Sequence, residues 1–517
     1  MDLSALHTTS DLESLRSLAL GMIESLQQSH DAEVEKHRRE IHFKQTKIDA
    51  LTAEIARLRR VQFAARSEQM NPEQRALFDE AIECDIAAVE AELEALRAPA
   101  ARPRQQPKRQ ALPAHLPRVE TRHEPESCTC AACGEALRLI GEHVSEKLDC
   151  KPLEFFVRRD VHPQYACRTC ETVTAVPVAP TIIDRGMAAP GLIAQVLVAK
   201  YLDHLPLYRQ EGIYARSGVA IPRQTLAEWV GAAGVQLQPL VQALKDELLA
   251  QPVVHADETP IALLDPGAGK TQRAYLFGYR TAAAEQPIVV LDFCDSRSGK
   301  HAARFLGDYR GALMVDDFAG YKALFGAGMI ELGCMTHARR KFFDLHKANK
   351  STQALEALER FGELYRIETA AKDLDDQGRH RYRLKHAKPR LEALHAWLMT
   401  LRQATLGESG LAKAIDYSLK RWSALTRYLD DGRYPMDNNP IENAIRPIAL
   451  GRKNWLFVGS ESAGRRAAAV MSLLATAKAN GHDPHAWMLD VLTRLPTTLN
   501  ANLGQLLPHR WSKPAAG

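Results

Sequence analysis

Three acids stand where a divalent cation would need them. Val253-Val254-His255-Ala256-Asp257 and Ala312-Leu313-Met314-Val315-Asp316 are short apolar runs that each end in an aspartate. Both read as strands, and side chains at strand ends in α/β sheets project toward the edge where sites form. If the two strands are neighbours, Asp257 and Asp316 face one another. Two carboxylates so close raise each other's pKa unless a cation neutralises them. Hard oxygen donors suit Mg²⁺. The third acid, Glu442, lies in Asn439-Pro440-Ile441-Glu442, which has the form of a helix start: Asn at the cap, Pro in the first turn, and Glu three residues past the cap. Alone, Glu442 reads as a capping-box partner. Set against two aspartates, it is expected to turn toward them, leaving Asn439 to cap without a reciprocal partner. Each aspartate has an acidic neighbour, Glu258 and Asp317. Adjacent strand residues point to opposite faces, and periodicity alone does not choose between them.

A second cluster is sulfur. Of nine cysteines, six lie between Cys128 and Cys170. Cys130-Ala-Ala-Cys133 and Cys167-Arg-Thr-Cys170 form two CxxC pairs, and four thiolates complete a closed tetrahedral zinc site of the structural kind. In a long chain without a signal-peptide core, clustered thiols favour metal over disulfides. The segment between the pairs contains β-like runs at 155–157 and 173–176, as in a zinc ribbon.

The elements that position these groups follow from periodicity. At 517 residues, with 45% hydrophobic and 25% charged residues, the chain is globular and too long for one ordinary domain. A net charge of +4 does not by itself declare a nucleic-acid partner, and no apolar run approaches a membrane span. Residues 1–97 read as helical, with Ile41, Ile48, Leu51, Ile55 and Leu58 at heptad spacing interrupted by Lys44 and a second stripe at Ile82, Ile86, Val89, Leu93 and Leu96. Both an intramolecular hairpin and an oligomerising coil fit. Residues 98–119 are a basic, proline-rich linker that suits a phosphate backbone. Residues 120–180 form the zinc-ribbon-like part. Residues 181–250 are helical; within them 207–216, the break at Ser217-Gly218 and 222–229 have the form of a helix-turn-helix. Residues 251–346 give a three-strand meander followed by β-α-β. Residues 347–431 form a charged helical insert whose Arg379–Lys385 run is basic. Residues 432–482 contain Glu442, and 483–517 form a helical tail. The fold class is multidomain α+β.

Taken together, these residues resemble the transposases of the IS66 group of bacterial insertion sequences, members of the DDE superfamily with a ribonuclease-H-like catalytic core. The resemblance rests on Ser67-Glu68, Leu112–Arg118, the CxxC pairs, His204–Arg209, His255–Thr259, Asp316–Tyr321, His337–Phe342, Asp437–Glu442, Gly451–Phe457 and Leu506–Pro508, in that order along nearly the whole chain. It implies that Asp257, Asp316 and Glu442 are the catalytic, Mg²⁺- or Mn²⁺-binding triad, and that Cys130, Cys133, Cys167 and Cys170 bind structural Zn²⁺. It further implies two-metal phosphoryl transfer on DNA, cleaving element ends and joining a 3′-OH to target DNA. Asp317 replaces the family's usual Gly, and Asn443 its frequent Arg. His337, Arg339, Arg340, Arg446, Arg452 and Lys453 are the expected phosphate contacts around the acids. The expected partners are element ends and target DNA, further copies of the chain and small accessory proteins of the same element, in the bacterial cytoplasm at the nucleoid. Two other readings compete: a zinc-containing DNA-binding regulator without catalysis, and a metal-dependent nuclease that cuts without joining.

Overall fold

The computed structural model describes residues 12–64, 72–96 and 112–513, except 115, 125–126, 128, 130–132, 134, 152–153, 184–185, 266–269 and 283–284. Side chains are described from residue 30 onward, apart from 60–76 and 78. The chain divides between two compact units, one within Met1–Phe63 and Val89–Gln105, the other within Ala64–Ala88 and Gln106–Gly517. No helix among the described residues is long and apolar enough to cross a membrane.

The first unit is helical. Helix α1 (Leu12–Ala64) is 53 residues long, and the end of α2 (Pro72–Leu96) is tied to it by an Arg59–Glu90 ion pair at 3.1 Å. Leu58 is buried, whereas Ile41 and Phe43 are exposed. The basic linker before Leu112 and the Ser67-Glu68 pair lie outside the described residues.

In the second unit, β1 (Arg118–Arg122), β2 (Leu137–Lys151), β3 (Glu154–Cys167) and β4 (Val173–Ala175) form a sheet around β3. β2 and β3 make a hairpin longer than the short runs in the sequence predict, pairing from Leu137–Cys167 to Lys151–Glu154. Its inner end is anchored by backbone bonds of Leu148 with Met187 and Ala189, just before the next helix, and by an edge-to-face contact of Phe155 with Tyr214.

Four helices follow: α3 (Pro190–Tyr201), α4 (Leu207–Arg216), α5 (Arg223–Gln236) and α6 (Gln238–Leu249). Gly218 has the positive φ of 79° that the turn between α4 and α5 requires. The second helix is covered on one face, while Gln224 and Glu228 on the other are exposed. Leu226, Ala227, Trp229, Val230, Gly231, Ala233 and Gly234 of α5 are buried, and Arg223 at its start is paired with Asp79. The turn follows from local chemistry, but the exposure of the second helix depends on its neighbours.

The central sheet is β5 (Val253–Asp265), β6 (Lys270–Thr281), β7 (Val289–Cys294), β8 (Ala312–Val315) and β9 (Ile330–Gly333), in the order β7-β6-β5-β8-β9. β5, β6 and β7 are antiparallel neighbours; β8 and β9 join parallel to β5. Helices α7 (Gly299–Leu306) and α8 (Lys322–Gly326) provide the crossovers. The insert comprises α9 (Met335–Asn349), α10 (Thr352–Ala370), α11 (Asp376–Gln403), α12 (Gly410–Lys420) and α13 (Trp422–Thr426) around its own core of Phe342, Phe361, Leu391, Leu398 and Tyr428. It enters and leaves at one place: Met335 N–H donates to Met436 C=O at 3.1 Å, and Asn438 N–H to Cys334 Sγ at 3.3 Å. Within the basic run, Arg383 is buried. It binds Glu368 at 2.7 and 2.9 Å and the carbonyls of Tyr428, Asp431, Gly432 and Tyr434, so it anchors the segment leading back to the sheet rather than facing solvent or DNA.

The chain closes with α14 (Asn439–Trp455), α15 (Glu461–Ala479) and α16 (Pro484–Arg494). Another core runs from the inner end of the β2–β3 hairpin through α3–α6, the central sheet and the tail to Trp511. The sheet's edges are covered. Ser472 and Thr476 of α15 accept the N–H groups of Leu291 and Val289 on β7, and Arg427 donates to the Glu331 carbonyl on β9.

Candidate active site

Asp257 lies inside β5 rather than at its end, because the strand continues to Asp265 as an arm of the β5–β6 hairpin. What ends near Asp257 is its parallel neighbour. β5 pairs with β8 through Val253–Ala312, Val254–Leu313 and His255–Met314. The same offset carried forward two residues sets Asp257 opposite Asp316, just past the end of β8. Stopping one strand of a parallel pair opens a gap beside the other, and both carboxylates stand at that gap.

Glu442 arrives from α14, but the helix begins one residue earlier than the sequence predicts. Asn438, not Asn439, is the cap residue, and its side chain makes no capping bond. That amide is used elsewhere and is fully buried. Its Nδ2 donates to Ala256 C=O at 2.8 Å and its Oδ1 faces His255 Nδ1 at 2.9 Å. The Asn438 amide donates through nitrogen, so its oxygen accepts the His255 N–H. Burial holds His255 neutral, with its pKa pushed down to about 4. Asn438 thereby staples the start of α14 to β5 beside Asp257. Asn439 turns outward to Asp437, donating at 2.9 Å. The face of α14 bearing Ile441 and Ile445 rests on Gly278, the cross-strand partner of Asp257. A Cβ there would come within 2.9 Å of Ile445 Cδ1.

The acids differ in their company. Asp257 is pushed up to about 7, first by burial, then by the charges of Glu258, Asp316 and Glu442, against a bond from the Glu258 N–H. Asp316 accepts the Phe318 N–H at 2.8 Å. Among the described residues neither aspartate has a direct ion pair with a basic side chain, whereas both of their neighbours do. Glu258 is bound by Arg297 and by Tyr321 Oη at 3.2 Å. Asp317 is bound by the buried Arg421 at 2.6 Å, and Arg421 also holds Glu331 at 3.0 Å. Glu442 lies 3.3 Å from exposed Arg340 and 3.7 Å from His337 Nδ1, and its Oε1 is buried without a hydrogen-bond partner. Two half-buried aspartates without a basic partner, beside a glutamate with one unpartnered oxygen, fit a divalent cation.

The expected phosphate contacts are only partly gathered. His337 and Arg340 reach Glu442, half-buried Arg339 is on the same helix, and exposed Arg446 stands one turn beyond Glu442. Arg452 and Lys453 lie about 15 Å further along α14 at 1.5 Å per residue. There Arg452 donates to Pro260 C=O, and both residues line a cleft with Arg273. The reading from sequence gave no role to His255, Asn438, Arg421, Arg297 or Gly278. The tandem Asn438-Asn439 was the available sign for one of them.

In the cysteine module, Cys133 Sγ lies 3.4 Å from Cys167 Sγ and 3.6 Å from Cys170 Sγ. These separations are far beyond a disulfide and near the ~3.8 Å that Zn–S bonds of about 2.3 Å give across a tetrahedron. The three thiols form a metal-sized cluster. Cys130 lies outside the described residues.

Comparison with known proteins agrees with this layout. The family model described as "Transposase IS66 family" matches residues 185–466. "Zinc-finger binding domain of transposase IS66" matches 127–171, "Transposase C of IS166 homeodomain" matches 50–121, and "IS66 C-terminal element" matches 472–509. The uncharacterized protein y4jD of Sinorhizobium fredii is 37% identical across 90% of this chain and 95% of its own length. A second from that organism, y4qI, is 36% identical across 91% and 90%.

Proposed function

The chain belongs to the IS66 transposase family, and from that premise we propose that it cuts element ends and joins them to target DNA by metal-assisted phosphoryl transfer at Asp257, Asp316 and Glu442. The observation that carries this reading is the β5–β8 register, which brings two half-buried aspartates without basic partners side by side next to the helix bearing Glu442. The strand order β7-β6-β5-β8-β9, with an antiparallel meander followed by two parallel strands, supports a ribonuclease-H-like core.

Divalent cations of the Mg²⁺ class held by the three acids would polarise the scissile phosphate and lower the pKa of the attacking water or 3′-hydroxyl. The chain's own residues do the rest. Asn438 and Gly278 aim Glu442, while Arg297 and Arg421 keep Glu258 and Asp317 occupied, leaving Asp257 and Asp316 free to ligate. Arg339, Arg340 and Arg446 meet the phosphates flanking the cut, and Arg452, Lys453 and Arg273 meet DNA further along. Zinc in the cysteine module is structural. The working form is an oligomer on DNA at the nucleoid, with accessory proteins of the same element.

The test uses full-length protein and labelled DNA carrying the element's terminal repeats. Asp257→Asn, Asp316→Asn and Glu442→Gln should each lower cleavage and strand transfer at least 1,000-fold while leaving end binding within a few-fold. Wild-type activity in any one variant removes that residue from the site. Cleavage without joining of pre-cut ends would favour a nuclease. End binding without either reaction would favour a regulator.

A further inference from the structure

Cys334 and His337 stand three residues apart at the start of α9, the cysteine as the cap residue and the histidine in the first turn. Side chains at this spacing share a helix face. Glu442, in the first turn of α14, meets them there. One donor atom from each of the three residues lies within 4.8 Å of the other two, and His337 Nδ1 is 3.7 Å from Glu442 Oε1. Those last two atoms are both buried and both without a hydrogen-bond partner. Leaving two such groups face to face and unsatisfied is costly, and an ion between them would satisfy both. Cys334 Sγ accepts the Asn438 N–H at 3.3 Å, the kind of outer bond that orients a metal-bound ligand.

The donor set decides the class of ion. Mg²⁺ takes oxygen and keeps its waters, so it has no use for a thiolate. Sulfur, imidazole nitrogen and a carboxylate oxygen together suit Zn²⁺, and three protein ligands leave its fourth position open.

We infer that Cys334, His337 and Glu442 form a second metal site, separate from the cysteine module, for a thiophilic divalent cation of the zinc class, and that its occupation withdraws Glu442 from Asp257 and Asp316. The Cys334 proton passes to solvent as the ion binds. Zn–N and Zn–O bonds of about 2.0–2.2 Å and a Zn–S bond of about 2.3 Å ask the donors to draw in slightly, within the reach of side-chain rotation. The binding half of the inference stands on geometry alone. The inhibitory half rests on the proposed catalytic role of Glu442.

The experiment is equilibrium dialysis of the full-length protein against Zn²⁺, with its cysteine module loaded, followed by metal analysis. Wild type should hold one equivalent more than Cys334→Ala and one more than His337→Ala, with circular dichroism confirming that both variants are folded. Co²⁺ in place of Zn²⁺ should give visible bands that both variants lose. Equal metal content in wild type and both variants overturns the site. In Mg²⁺-supported cleavage of terminal-repeat DNA, the Zn²⁺ concentration that halves the rate should rise at least ten-fold in Cys334→Ala; an unchanged value overturns the inhibition. Glu442→Gln that loses the zinc equivalent yet still cleaves DNA would refute the catalytic reading and leave the metal site standing.

Discussion

The cysteine module and the acidic site both collect groups that call for a cation, but they are assembled in opposite ways. Cys167 and Cys170 come from one knuckle at the end of β3, and Cys133 closes on them from just before β2. The three thiols meet at the open end of the β2–β3 hairpin, where a bound metal would tie the knuckle to the strand. The acids come from β5, from the end of β8 and from a helix beyond the insert. They are positioned without metal by the strand register, the Asn438 amide and the two arginines that occupy their neighbours. One site should need its ion to exist, and the other only to react.

That contrast can be broken at several points. The largest effect separates adjacent aspartates: Asp316→Asn should cost at least 1,000-fold in strand cleavage, whereas Asp317→Asn, which only loses the Arg421 bond, should cost less than about ten-fold. Comparable losses would mean that Asp317 ligates. Next, Cys167→Ser or a zinc chelator should speed amide exchange across residues 118–175 by about 100-fold while the β5–β9 sheet keeps its protection. Loss of protection in both would show a shared dependence on zinc.

The third point is pH. Asp257 has a folded-state pKa of about 7 against a usual value of 3.8, so between those values the folded state holds the extra proton. Its contribution therefore lowers stability as pH rises through that window. Without divalent metal, Asp257→Asn should be more stable than wild type at pH 8 by on the order of 3 kcal/mol, and the gain should vanish near pH 4. Chemical denaturation at the two pH values checks this; a gain independent of pH would rule out the charge as its source. Smallest, Asn438→Ala leaves His255 N–H and Ala256 C=O buried without partners and should cost about 2 kcal/mol, with a drop in cleavage, while Asn439→Ala should cost under about 0.5 kcal/mol. Equal costs would remove the staple.

The same contrast explains what could be read before the fold was known. Two CxxC pairs state their chemistry through spacing alone. The two aspartates stand out by their place after apolar runs and Glu442 by its place in a helix start, and the meander followed by β-α-β is found in the order expected. What could not be read is what a distant partner decides. Asp257 sits mid-strand because β6 extends β5 past it. The cap of α14 moved to Asn438 because His255 and Ala256, far away in sequence, claim its amide. Gly218 announced the turn before α5, yet nothing local tells which face of the helix after it is covered. Arg383 looks like one of a solvated basic run until Glu368 and four carbonyls are seen around it.

The covered edges of the central sheet carry a consequence for encounters between molecules. Open strand edges are where one sheet recruits another, and unguarded they lead to aggregation. Here Ser472 and Thr476 take up N–H groups on one edge and Arg427 a carbonyl on the other. Those groups are therefore already engaged within the chain and are not open to pairing with a strand of another molecule.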